Sequence, residues 1–134
     1  MTFPLNITIL YAGLLGLIAF FLAFKASRTR AATHVDLGDG GNETMLRAMR
    51  AHANFVEFVP LCLILIGLME MAHAPRWLVH TLGIVLVIAR ILHAQGMYST
   101  SGRSFGRVSG ASLQYLVLLA AAVACTYYGV IWRT

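Results

Sequence analysis

Apolar residues in this chain fall into four long runs separated by short polar stretches, and the lengths of those runs decide the fold class. Phe3 to Phe24 is uncharged throughout, and so is Leu113 to Trp132. Each matches the roughly 20 residues that carry a helix across a hydrocarbon core about 30 Å thick. Between them lie two mixed runs. Glu43 to Met71 has an apolar half, Phe55 to Met69, that contains Glu57 and Pro60, and Arg76 to Met97 carries Arg90 and His93 near its end. Backbone in lipid must satisfy its own hydrogen bonds, so each run is predicted as a helix. The expectation is all-α: an integral membrane four-helix bundle of up-down topology, with helices at about 3–30, 43–71, 76–98 and 109–132 in a single domain over 1–134.

Composition supports the same reading. Apolar residues make up 59% of 134 and charged residues 11%, against roughly 25% charged in soluble domains. A chain this short buries too small a fraction of its surface to hide that much apolar area from water. The first run is not read as a secretory signal, because basic residues follow it rather than precede it and it is too long for such a leader. Lys25, Arg28, Arg30, Arg47 and Arg50 flank the first connection and Arg103 and Arg107 the third, while the other side holds Arg76 and Arg133. The excess of basic residues puts the first and third connections in the cytoplasm and both termini outside, in a bacterial inner membrane. It also accounts for the +5 net charge through topology and lipid headgroups, without a nucleic-acid partner.

The connections are short except the first, where Asp36, Gly38, Asp39, Gly40 and Gly41 mark a polar turn-rich loop. Asn42 or Gly41 is placed to cap the second helix, with Glu43 in the first turn, where the helix dipole favours an acid. Ala72 to Pro75 reads as a tight turn with Pro75 at the next helix start. Ser99 to Gly110 reads as a Ser- and Gly-rich loop. Tyr127, Tyr128 and Trp132 suit an interfacial belt. Cys62 and Cys125 fall in apolar spans and are expected as reduced, buried thiols.

Chemistry concentrates on the second helix. Glu43, Arg47, Arg50, Asn54 and Glu57 share an arc of roughly 80° on a helical projection, a polar stripe entering the membrane from the cytoplasmic end. An unpaired acid at the depth of Glu57 costs about 3 kcal/mol on insertion scales, so something must offset it. One reading is an interhelical network in which Glu57 or Asn54 bonds Arg90 of the third helix. The other is a ligand pocket of mixed charge, suited to a small zwitterion, in which the arginines meet carboxylates and Glu57 an ammonium. Arg90, His93 and Met97 also share one face of the third helix. No zinc-protease motif, metal-spaced Cys pair, phosphate loop or triad is present, and His34, His73 and His80 are scattered, so no metal is expected.

The run Arg47-Ala48-Met49-Arg50-Ala51-His52-Ala53-Asn54-Phe55-Val56-Glu57-Phe58-Val59-Pro60 resembles the signature of the MAPEG superfamily, the membrane proteins of eicosanoid and glutathione metabolism. There an Arg-x-x-x-Asn-x-x-Glu run, an aromatic residue and a proline open the second of four transmembrane helices. Ala89-Arg90-Ile91-Leu92-His93-Ala94-Gln95-Gly96 is similar to the family's third-helix stretch. Length and helix count agree along nearly the whole chain.

That resemblance implies a homotrimer with glutathione, as co-substrate, bound between subunits near the cytoplasmic face, and a lipophilic electrophile arriving from the bilayer. By position it assigns Arg50, Asn54, Glu57 and Phe58 to glutathione, with Phe58 lacking the hydroxyl of a tyrosine common there. His52 points about 160° away from Arg50 and suits a contact to the ligand of an adjacent subunit. Arg90 matches a family arginine of partly structural role. The third-helix tyrosines of eukaryotic members correspond to His93 and Met97, with Tyr98 one residue away. Arg103 matches the arginine that stabilises the glutathione thiolate, and Arg107 is its rival; a cation beside a thiol favours the attacking thiolate. Two functions follow. One is a glutathione transferase or peroxidase of detoxification type. The other is a noncatalytic lipid- or partner-binding protein of the same fold. Transport fits less well, since no helix is broken at mid-membrane.

Overall fold

The computed structural model describes residues 5–131. Within them the chain forms four α-helices: α1 (Asn6–Thr33), α2 (Glu43–Met71), α3 (Arg76–Ser99) and α4 (Phe105–Ile131). All four are long and apolar enough to cross a membrane. The expected first residues of helix one, including Phe3, and the belt residue Trp132 with Arg133 lie outside the described residues. Tyr127 and Tyr128 pack edge to face at the end of α4.

Each helix end has a local cause. The backbone N–H groups of Ile7 and Thr8 donate to the Glu70 carboxylate at 2.8 and 2.7 Å, and the Thr8 hydroxyl adds a third bond at 2.6 Å. A carboxylate from the end of α2 thus caps α1, satisfying orphan donors where the dipole favours negative charge. At its other end α1 closes on His34 in the left-handed conformation, and the Arg30 guanidinium donates to the carbonyls of Val35 and Gly38, tying down the first connection. Asn42 caps α2 by accepting from Met45 N–H at 3.0 Å, as its sequence position implies. Pro60 lies inside α2 and the helix runs through it. Pro75 precedes α3 directly.

The fourth helix departs from the sequence reading. It starts at Phe105 rather than near 109, because the Ser104 hydroxyl accepts from Arg107 N–H and caps it. The glycines that resembled loop residues serve packing instead. A Cβ on Gly106 would stand 2.6 Å from the Leu92 carbonyl oxygen, and one on Gly110 2.6 Å from that of Ala89. Small residues let the α3 and α4 backbones approach closely, as membrane helix pairs without a hydrophobic driving force require.

α2 and α3 form the centre: α2 touches every other helix, α3 packs on α4 and α1, and α1 and α4 do not meet among the described residues. The core holds Leu15 and Leu22 of α1, Phe55, Cys62 and Ile66 of α2, Val79 and Leu86 of α3, and Val117 and Ala121 of α4. Both cysteines are free. Cys62 is buried as expected, whereas Cys125 is only half-buried, its thiol donating to the Leu65 carbonyl.

Candidate functional site

Arg90 organises the polar interior. Its side chain is wholly buried at the meeting of α2, α3 and α4. One guanidinium nitrogen donates to Asn54 Oδ1 at 2.9 Å and also to Gln114 Oε1. The other nitrogen meets His93 Nδ1 at 3.3 Å, and the guanidinium carbon lies 5.4 Å from the Phe55 ring centroid. A guanidinium removed from water needs hydrogen-bond acceptors. The two amide oxygens and His93 meet its terminal nitrogens without placing a carboxylate in the bundle, while Nε has no partner among the described residues. Of the two partners the sequence offers, the structure selects Asn54. Glu57 goes elsewhere.

The polar stripe of α2 therefore divides along its length. Asn54 turns inward to Arg90. Arg50 and Glu57 turn outward and pair with each other at 3.9 Å, their side chains 56% and 48% exposed. An outward ion pair on a membrane-spanning helix is costly against lipid unless a polar group covers it. Phe58 stands beside it, half-buried, its ring packed edge to face on Tyr115 of α4 at 5.5 Å.

Two crevices hold further candidate residues. In one, of about 370 Å³ between α1 and α2, His52 is brought together with Arg50 and Arg30. Arg30 counts only toward topology in the sequence, yet it reaches Met49 Sδ at 3.6 Å and adds a second cation beside His52. The other crevice, of about 610 Å³, lies under the third connection. His93, Arg103, Arg107 and Ser112 are among its lining residues, so His93 joins the Arg90 network to it.

The rival arginines differ in freedom. Arg107 donates to the carbonyls of Ser101 and Gly102 at 3.0 and 2.7 Å, holding the connection in shape. Arg103 is exposed and makes no hydrogen bond or ion pair among the described residues. Met97 is buried in the core. Tyr98 is not gathered with the others: it turns toward α1, where the Lys25 ammonium sits over its ring. Among the described residues no group of three His, Cys, Asp or Glu side chains is placed to hold a metal ion.

Gln114 is the site residue that sequence reasoning missed. It is fully buried on α4, on the face marked by Gly110, Val117 and Ala121. A lone amide at helical spacing within an apolar stripe is the signal that finds it.

The sequence matches known proteins along nearly its whole length. The family model described as "MAPEG family" matches residues 8–127. The protein named "Inner membrane protein YecN" from Escherichia coli strain K12 is 36% identical over 122 residues, covering 91% of this chain and 92% of its own length. The protein of the same name from Escherichia coli O6:H1 matches to the same extent. With the match running through all four helices and both polar motifs, the chain belongs to the MAPEG family.

Proposed function

We propose that this protein binds glutathione at sites shared between neighbouring subunits of a homotrimer and presents its thiolate to lipophilic electrophiles arriving from the bilayer. The observation that carries the reading is the outward Arg50–Glu57 pair, half exposed on a spanning helix. A zwitterionic tripeptide supplies both complements, carboxylates for Arg50 and an ammonium for Glu57. The crevice holding Arg30 and His52 is the surface that a neighbouring subunit offers to the same ligand. Arg103 is the cation we assign to the thiolate, because Arg107 is already engaged with backbone carbonyls. A cation beside the thiol lowers its proton affinity and raises the attacking species. Two relatives are named as inner membrane proteins, and we place this chain in the inner membrane with the site at the cytoplasmic face.

A second reading has its own support. His93 and Met97 stand where tyrosines contact glutathione in the resembling enzymes, and both are buried in the bundle and offer no hydroxyl. On that reading the protein binds a lipid or a partner without turnover. Absorbance of bound thiolate near the ultraviolet edge separates the two. The transferase reading requires a thiolate signal in the wild type that falls in Arg103→Ala while glutathione remains bound. Binding with no thiolate signal in the wild type leaves only the noncatalytic reading.

A further inference from the structure

The groove between α1 and α3 takes no part in the site above: Arg50, Asn54, Glu57 and His93 are all absent from it. It has a volume of about 850 Å³, and Leu17, Phe21, Lys25, Ile91, Gln95 and Tyr98 line most of it. No acidic side chain contributes. Leu17, Phe21 and Ile91 are exposed along its length. Leu17 to Lys25 spans about 12 Å of helix axis at 1.5 Å per residue, close to the depth of one leaflet of a hydrocarbon core about 30 Å thick.

The groove's polar end lies toward the first and third connections. There the Lys25 ammonium stands 3.4 Å from the Tyr98 ring centroid and 5.8 Å from that of Phe21. No carboxylate pairs with it among the described residues. The Tyr98 hydroxyl is buried and has no hydrogen-bond partner among the described residues. Arg28, one turn further on, is exposed and lines an adjoining crevice together with Lys25. An apolar slot one leaflet deep thus ends in two cations at headgroup level.

We propose that this groove binds an anionic phospholipid, with one acyl chain along Leu17, Phe21 and Ile91 and the phosphate on Lys25 and Arg28. Charge complementarity selects the headgroup, since basic pockets between spanning helices attract anionic lipid.

Native mass spectrometry of the purified protein in non-ionic detergent tests this, with titrations of phosphatidylglycerol and phosphatidylcholine of matched acyl chains. The wild type is expected to retain phosphatidylglycerol about fivefold or more above phosphatidylcholine, from on the order of 1 kcal/mol per basic residue. Lys25→Gln should cut the preference about fivefold, Lys25→Arg should keep it, and Ile91→Trp should fill the slot and lose both lipids. Equal retention by the wild type overturns the proposal, as does an unchanged preference in Lys25→Gln. Should Lys25→Gln not fold, the wild-type preference and Ile91→Trp decide. Cross-links joining Leu17→Cys of one chain to Ile91→Cys of another would put a second copy in the groove and also overturn it. Glutathione binding should be unaltered in the Lys25 variants, so this proposal and the glutathione reading fail separately.

Discussion

Replacing Gly110 with Ala perturbs the seam that holds α3 against α4. The new methyl would stand 2.5 Å from the backbone nitrogen of His93 and 2.6 Å from the Ala89 carbonyl oxygen. Neither is the tip of a flexible side chain, so the helices themselves must separate. Overpacking of this kind costs about 1–3 kcal/mol, against which Ala recovers up to about 1 kcal/mol of helix propensity. The net expectation is a loss of about 1–2 kcal/mol. Gly13 is the internal control, because a Cβ there meets nothing within 4 Å. Gly13→Ala should therefore be neutral or stabilising by up to about 1 kcal/mol. Thermal unfolding of both variants in one detergent, followed by circular dichroism and by size exclusion of the soluble fraction, measures the pair. Equal or greater stability of Gly110→Ala, with Gly13→Ala behaving as expected, would refute the close α3–α4 approach and the shape of the His93–Arg107 crevice that depends on it.

Other expectations follow from the polar interior. Arg90→Met leaves the Asn54 and Gln114 oxygens without a donor and should cost about 1–3 kcal/mol, using roughly 0.6–1.7 kcal/mol for a membrane hydrogen bond. Adding Gln114→Leu should recover part of that loss, since removing both partners costs less than stranding one; a strictly additive loss in a double-mutant cycle contradicts the network. Glu70→Gln keeps the size of the α1 cap and removes its charge, and should destabilise by about 1–2 kcal/mol. Unchanged unfolding of that variant would show that the charge on Glu70 contributes nothing to the α1 cap.

The spans were legible because hydropathy acts over about twenty residues and lipid admits few alternatives to a helix. The start of α4 was not. Ser104, Gly106 and Gly110 carry loop-like composition, and only the facing backbone of α3 reveals that the glycines are there for close approach. The stripe on α2 was legible as an arc but not as two surfaces. On a helical projection Asn54 and Glu57 lie about 60° apart, and the boundary between interior and exterior falls between them. Periodicity measures angle around one helix, and the direction of the neighbours is set by the other three. Gln114 is not conspicuous in sequence, because it is a lone amide in the uncharged, apolar run from Leu113 to Trp132. Tyr98 was adjacent in sequence to the expected tyrosine position, but one residue turns a side chain by about 100°, which carried it to α1.

Isothermal calorimetry of the wild-type protein with glutathione, in mild detergent and with the oligomer mass measured on the same sample, decides whether this protein is a glutathione-binding trimer. The account predicts saturable binding at millimolar glutathione or below, in a trimer, with Arg50→Ala weakening it by about 1.5–3 kcal/mol as expected for a charge-assisted hydrogen bond. No saturable heat from an intact, folded wild type would contradict it and leave the Arg50–Glu57 surface as a contact between helices alone.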